Sequence, residues 1–388
     1  MNDSPHGIIS LPRGIEILRG GGVVAIPTET VYGLAARADM PNAIAEIFAA
    51  KKRPFFDPLI VHLSHAEQVE LVAEFVPAKA QKLMDKFWPG PLSVVLPKKK
   101  SISDLISAGL PTVAVRCPDH DLARRIIAES GFPLAAPSAN LFGKISPTSA
   151  EAVWQQLHGR IDGVIDGGAC SVGVESTIVA FWDESVVLLR PGGIPLEAIQ
   201  DIIGEIQVGV PVAEAGAAEN SASTAENSIA EAGASTASTA ENSIAEAGAS
   251  TASTAENQLE APTEAAENST RVSKPLPAPG TTASHYAPQK AMLFYPSIQA
   301  LPQDRTWRQE SALLLLQKES GLKDFYVCKE LSPTGDLSQA AVNLYAYMRK
   351  LDALPVKRIV AVALPEESLG LAINDRLFRA AGSQKAGF

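Results

Sequence analysis

Cysteine is scarce in this chain of 388 residues: Cys117, Cys170 and Cys328 are widely separated and odd in number. None forms a CxxC pair, which argues against a disulfide framework or a cysteine zinc site and fits a reducing cytosol. No apolar run reaches the roughly 18 residues that a spanning helix needs, so no membrane partner is expected. The opening residues, Met1-Asn2-Asp3-Ser4-Pro5-His6, lack a basic stretch followed by an apolar one, and no secretion signal is expected. HExxH and GxSxG are missing, which removes the usual zinc helix and nucleophile elbow. GxGxxG is missing too, and the Gly143-Lys144 pair has Ser138 where a Walker loop needs its first glycine. A nucleotide would therefore be held without either common phosphate loop.

Basic residues are absent from 211–269, which holds ten Glu. Residues 1–210 carry 18 Lys+Arg against 23 Asp+Glu, and residues 270–388 carry 15 against ten. The net charge of −10 is thus concentrated in the middle, and neither flank has the strong basic excess expected of a nucleic-acid binder. Within that middle, residues 223–237 read STAENSIAEAGASTA and residues 238–252 repeat them letter for letter. One Ile per unit is too little apolar surface for stacked repeats, so residues 211–270 are expected to be a disordered linker.

What is present in residues 1–210 is an alternation of apolar strands and amphipathic helices. Strands are expected at 22–26, 59–63, 92–96, 113–115, 176–179 and 186–189, with helices at 43–50, 119–130 and 148–158. The pattern implies an α/β domain with a mixed sheet and flanking helices. Residues 271–290 begin proline-rich, and 291–388 read as a smaller α/β unit with strands at 312–316 and 358–364 and helices at 337–351 and 369–381.

Polar residues cluster at the strand ends. Pro27 to Leu34 is either a polar capping loop or one side of a ligand crevice, since open α/β sheets bind ligands beyond their strand ends. Lys51-Lys52-Arg53-Pro54 closes a helix; the cations either complement its dipole or reach a polyphosphate. His62 shares a strand face with Ile60, as a core residue or a site residue. Arg116 ends an apolar strand and needs an anion, from an internal acid or from a ligand. Small residues at Ala136, Ser138 and Asn140 permit close approach, and Ser146 is expected just ahead of a helix, where phosphate oxygens are favoured.

Residues 8–205 resemble the YrdC/Sua5 family of L-threonylcarbamoyladenylate synthases. The resemblance rests on ordered blocks: 28–34, 51–54, 58–62, Trp88-Pro89-Gly90-Pro91, 113–116, 137–140, Glu175-Ser176-Thr177-Ile178 and Leu189-Arg190-Pro191-Gly192. Residues 278–280, 284–288 and 370–377 are similar to the interdomain segment and last helix of the longer, two-domain form. This implies a YrdC-like domain, a disordered linker, a closing segment and a smaller Rossmann-like domain.

It also implies a reaction. L-threonine, bicarbonate and ATP would give threonylcarbamoyl-AMP and pyrophosphate, passed to a threonylcarbamoyl-transferase complex acting on tRNA. Lys51, Arg53, Ser138 and Asn140 would be catalytic. Thr30, His62, Arg116, Ala136 and Ser176 would hold threonine, with Arg116 on its carboxylate. Arg53, Asp57, Thr112, Ser138, Ser146 and Arg190 would contact the nucleotide, with His285 and Tyr286 closing over it. Mg2+ would come with ATP, with no dedicated protein site. Asp57 stands where the family pattern has Asn, and an acid beside a triphosphate requires an intervening cation. Two related readings are weaker. A module for double-stranded RNA or tRNA conflicts with the −5 balance of residues 1–210. A carbamoyl-transfer domain of hydrogenase maturation would need acylphosphatase-like and zinc-finger segments.

Overall fold

The computed structural model describes residues 7–182, 185–209, 278–280, 285–320 and 322–382. The repeat tract at 211–270, expected to be disordered, lies outside them, as do 271–277 of the closing segment. The described residues on either side of the tract form one compact unit.

Among the described residues the N-terminal part holds ten strands: β1 (Val24–Ile26), β2 (Gly33–Arg37), β3 (Ile60–His62), β4 (Leu92–Pro97), β5 (Thr112–Arg116), β6 (Leu134–Ala135), β7 (Gly163–Val164), β8 (Thr177–Trp182), β9 (Ser185–Arg190) and β10 (Gln207–Val208). They make one mixed sheet in the order β10-β9-β8-β4-β5-β3-β6-β2-β1-β7. Helices α1 (Leu11–Arg19), α2 (Pro41–Lys51), α3 (Ala78–Phe87), α4 (Asp104–Ser107), α5 (Asp121–Ser130), α6 (Ala150–Leu157) and α7 (Leu196–Ile203) flank it. The runs rich in Val and Leu form the central strands, buried along nearly their whole length, as expected where both sheet faces are covered. The stretch Gly33-Leu34-Ala35-Ala36-Arg37, expected to begin as loop, is instead a strand paired antiparallel with β1. Its Ala-rich sequence carries no β-branched signal. Burial between its neighbours decides its conformation.

The C-terminal part contains β11 (Ala291–Tyr295), α8 (Arg305–Gln309), β12 (Ser311–Leu315), β13 (Val327–Glu330), α9 (Leu337–Asp352), β14 (Arg358–Val362) and α10 (Gly370–Ala381). Its four strands are all parallel, in the order β11-β14-β12-β13. This is the smaller Rossmann-like unit anticipated. Asp336 caps α9 by accepting from the Ser338 and Gln339 backbone N–H groups.

The two parts share a core. Val31, Ile145, Val174 and Tyr286 pack into one apolar cluster with Ala341, Leu344, Tyr345 and Met348 of α9. Gly173, at φ +82°, lets its loop lie against the α9 backbone: a Cβ there would stand 2.4 Å from the Ala341 carbonyl oxygen and from the Val342 Cα. No helix among the described residues is long and apolar enough to cross a membrane.

Candidate active site

Strand order and register assemble the site. β3 lies between β5 and β6, and the parallel β3–β5 register sets His62 beside Arg116. The β1–β2 loop closes on itself through Thr28. Its hydroxyl donates to the Val31 carbonyl (2.6 Å) and accepts from the Thr30 N–H (3.2 Å), a local alternative to secondary structure typical of Thr. This presents the Thr30 hydroxyl to Arg116, which donates to it at 2.8 Å.

Arg116 is buried. It donates to the Gly90 carbonyl (3.1 Å) and pairs with Glu29 at 2.6 Å. The resemblance assigned its counter-charge to the substrate carboxylate; in the structure the internal acid Glu29 already supplies it. A guanidinium taken out of water needs an anion whether or not ligand is bound. Burial pushes the Glu29 carboxyl up, but Arg116 and the Asp119 N–H (3.0 Å) together leave the pKa lowered.

The basic cluster divides into inward and outward residues. α2 ends at Lys51, and Lys52 takes the left-handed cap (φ 53°) with an exposed side chain. Lys51 turns inward, donating to the Ser138 and Asn140 carbonyls. Burial, then Arg53, push its pKa well down. Arg53 donates to the Asp57 and Pro58 carbonyls and pairs with the Asp57 carboxylate at 2.9 Å. Burial holds the Asp57 pKa up despite Arg53 and Lys51. Arg190 donates to the Ser176 carbonyl (2.9 Å) and hydroxyl (3.1 Å) and to the Pro279 carbonyl (3.0 Å).

Of the anticipated residues, Thr30, Arg53, His62, Arg116, Ala136, Ser138, Ser176, Arg190, His285 and Tyr286 line one cavity of about 50 Å3. Lys51, Asp57, Thr112, Asn140 and Ser146 lie outside its lining. Asn140 donates to the Leu141 and Lys144 carbonyls and staples its own loop. Thr112 borders a separate void of about 10 Å3 with Pro58 and Pro279. Ser146 does not precede a helix directly: Ser149 caps α6, accepting from the Ala152 N–H.

Glu175 was quoted only as part of a block, and the structure gives it a larger part. It lines the cavity and is buried against Tyr345 and Arg376. Burial pushes its carboxyl up, but Arg376 and then Arg190 bring it down to about 2. One sequence signal was available. Arg376 sits on the buried face of α10, between Ile373 and Leu377, and a charge at such a position needs a partner.

Two buried histidines impose a pH dependence. Burial, then Arg116, press His62 down to about 3 from 6.5. Burial, then Arg53, do the same to His285. The unfolded chain takes up these protons near pH 6.5, and the folded chain refuses them until about pH 3. Stability is therefore full above pH 6.5 and falls as pH drops through that window, by up to about 1.4 kcal/mol per pH unit for each histidine. Thermal melts between pH 7 and 4 are expected to show the fall. His62→Gln should flatten it by about half, since one of the two protons no longer differs between states.

A family model described as Telomere recombination matches residues 16–192, and one described as Threonylcarbamoyl-AMP synthase, C-terminal domain, matches residues 226–382. The threonylcarbamoyl-AMP synthase of Pyrococcus abyssi is 37% identical over 372 residues, covering 94% of this chain and 92% of the relative. That of Bacillus subtilis is 37% identical over 380 residues, covering 96% and 93%. The crystal structure of P. abyssi Sua5 complexed with L-threonine superposes with a TM-score of 0.73 at 33% identity, covering 97% of this chain and 95% of that one. With such relatives matched across nearly their whole length, the chain belongs to the YrdC/Sua5 family in its two-domain form.

Proposed function

We propose that this chain is an L-threonylcarbamoyladenylate synthase, a nucleotidyltransferase that makes threonylcarbamoyl-AMP and pyrophosphate from L-threonine, bicarbonate and ATP. The observation that carries the reading is the cavity beyond the strand ends, where two ligand-binding chemistries meet. Thr30, His62, Arg116 and Ser176 suit an amino acid with a hydroxyl and a carboxylate. Arg53, Ser138 and Arg190 suit phosphate oxygens. The threonine complex of the P. abyssi relative supports the first half.

Bicarbonate and the threonine amine condense to a carbamate with loss of water, and a carbamate oxygen attacks the α-phosphorus as pyrophosphate leaves. No covalent enzyme intermediate is needed, so the residues act by positioning and by neutralising charge. Arg116 retains N–H groups beyond its three present contacts for the threonine carboxylate. His62, neutral at physiological pH, adds no charge there. Arg53 exchanges part of its pairing with Asp57 for the triphosphate. Lys51, whose charge burial disfavours, acts from behind the cavity wall by holding the 138–140 loop through the Ser138 and Asn140 carbonyls. A cavity of about 50 Å3 is far below the ~300 Å3 or more usual for ligand sites. His285 and Tyr286 on its wall therefore withdraw for substrate entry and return over it.

Magnesium would arrive with ATP, held by phosphate oxygens and water. Glu29, Asp57 and Glu175 are each paired with an arginine, and no cluster of three or more His, Cys, Asp or Glu among the described residues could hold a metal. The product would serve the t6A modification of tRNA in the cytoplasm, through a threonylcarbamoyl-transferase complex.

The test is pyrophosphate release by the purified chain. Full turnover should require ATP, threonine and bicarbonate together. Turnover that persists in carefully degassed buffer without bicarbonate would refute the reading.

A further inference from the structure

We propose that Tyr345 and Arg376 of the C-terminal part are positioning residues for the adenylate-forming site. The inference rests on the functional reading above.

The contacts cross from one part of the chain to the other. The Tyr345 hydroxyl lies 3.0 and 2.9 Å from the two Glu175 carboxylate oxygens. Arg376 donates through Nε to Glu175 at 2.7 Å and through Nη1 to Asp375 at 2.6 Å. Arg349, one helical turn after Tyr345 and therefore on the same face of α9, donates to the Ser146 carbonyl (2.8 Å) and the Thr148 hydroxyl (2.9 Å). Two helices thus grip two loops of the N-terminal part, and the one that carries Glu175 and Ser176 lines the cavity.

The contacts of Tyr345 and Arg376 end on a cavity-lining group. Glu175 lines the cavity itself and immediately precedes Ser176, whose carbonyl and hydroxyl hold Arg190. The same pair also holds the closing segment. Arg376 lies over the Tyr286 ring, 5.1 Å from its centroid, and the Tyr345 ring stacks on Tyr286 at 5.9 Å. Tyr286 has φ 63°, a backbone conformation that an aromatic residue adopts only under outside constraint.

Packing alone does not account for this arrangement. Arg376 is wholly buried, and a buried ion pair gives little net stability compared with apolar residues of similar volume. Its Nη2 and the Tyr286 hydroxyl, both buried, have no hydrogen-bond partner. What the polar set provides is direction: a planar guanidinium and a phenol fix the carboxylate of Glu175 in orientation as well as in place. The position of Ser176 and the angle of Tyr286 over the cavity then follow from α9 and α10.

Steady-state kinetics on full-length Tyr345→Phe, Arg376→Lys and Arg376→Met, with melting temperatures, test this. Tyr347→Phe, which replaces an α9 residue that contacts Lys329 and Lys350 instead, is the control. Tyr345→Phe is expected to lose about 10- to 100-fold in kcat/KM, mainly as a raised KM for threonine, while melting cooperatively near the wild-type temperature. Arg376→Met should lose at least as much and also melt lower, because it leaves buried Glu175 without its cation. Arg376→Lys should recover part of the loss, and Tyr347→Phe should lose none. Should Arg376→Met not fold, Tyr345→Phe and Arg376→Lys decide alone. Folded variants with wild-type KM for threonine and ATP overturn the inference, as does activity that merely tracks melting temperature. No turnover by the wild-type chain fails the functional reading instead, and this assignment falls with it.

Discussion

Arg53→Ala is expected to reduce pyrophosphate release by about 10²- to 10³-fold, the usual cost of removing one preorganised charge-stabilising donor. Lys52→Ala should stay within about twofold, because its side chain is exposed and makes no such contact. The two neighbours differ because α2 ends at Lys51 and Lys52 is its left-handed cap. Arg53 is thereby returned to the interior, where its backbone N–H meets the Phe48 carbonyl. Its guanidinium lies on the cavity wall and pairs with buried Asp57. Its loss removes a cation from the phosphate side and leaves an acid there. Burial already pushes the Asp57 carboxyl up, and without Arg53 it rises further, so part of the missing neutralisation returns as a proton on Asp57. Initial rates at saturating threonine and bicarbonate, with ATP varied, check this. Equal effects at 52 and 53 would mean that the cluster acts only as a diffuse positive surface.

Gly192→Ala is expected to destabilise the fold by about 3 kcal/mol or more and to weaken threonine use in whatever protein remains folded. A Cβ at this position would stand 2.4 Å from the Glu175 carbonyl oxygen, the Ser176 carbonyl carbon and the Thr177 nitrogen. All three are backbone atoms and cannot rotate aside. The turn after β9 would have to lift away from the segment entering β8, straining the bond from the Gly193 N–H to the Glu175 carbonyl (3.0 Å). That segment carries Glu175 and Ser176, so strain there reaches the cavity wall directly. Differential scanning calorimetry and the KM for threonine read the two effects separately. A melting temperature within a degree of wild type would show that the backbone yields more readily than these distances imply.

The β-branched and leucine-rich runs at 92–97, 112–116 and 185–190 were legible as strands because their composition suits a doubly covered sheet. The strand at Gly33–Arg37 and the two-residue strands at Leu134–Ala135 and Gly163–Val164 were not, since Gly and Ala carry no local preference for strand and pairing alone makes them extended. In the site, the ordered blocks named most of the cavity lining. They did not reveal that Lys51 holds the distant 138–140 loop, that Asn140 staples its own loop, or that Ser149 rather than Ser146 caps α6. Those are matters of where a backbone carbonyl or N–H happens to lie, and no side-chain pattern encodes them.

The sequence by itself determined the α/β class, the two-domain family and the set of polar residues at the strand ends. Periodicity and composition act locally, and the blocks keep their order along the chain. Only the tertiary structure decided which charge meets which. Arg116 takes Glu29, Arg53 takes Asp57, and Glu175 takes an arginine 201 residues away in the last helix. A buried charge must find an opposite charge within a few ångströms, but sequence separation sets no limit on where that partner comes from. The partner is chosen by how β8, α9 and α10 pack, and the same packing holds Tyr286 against the site.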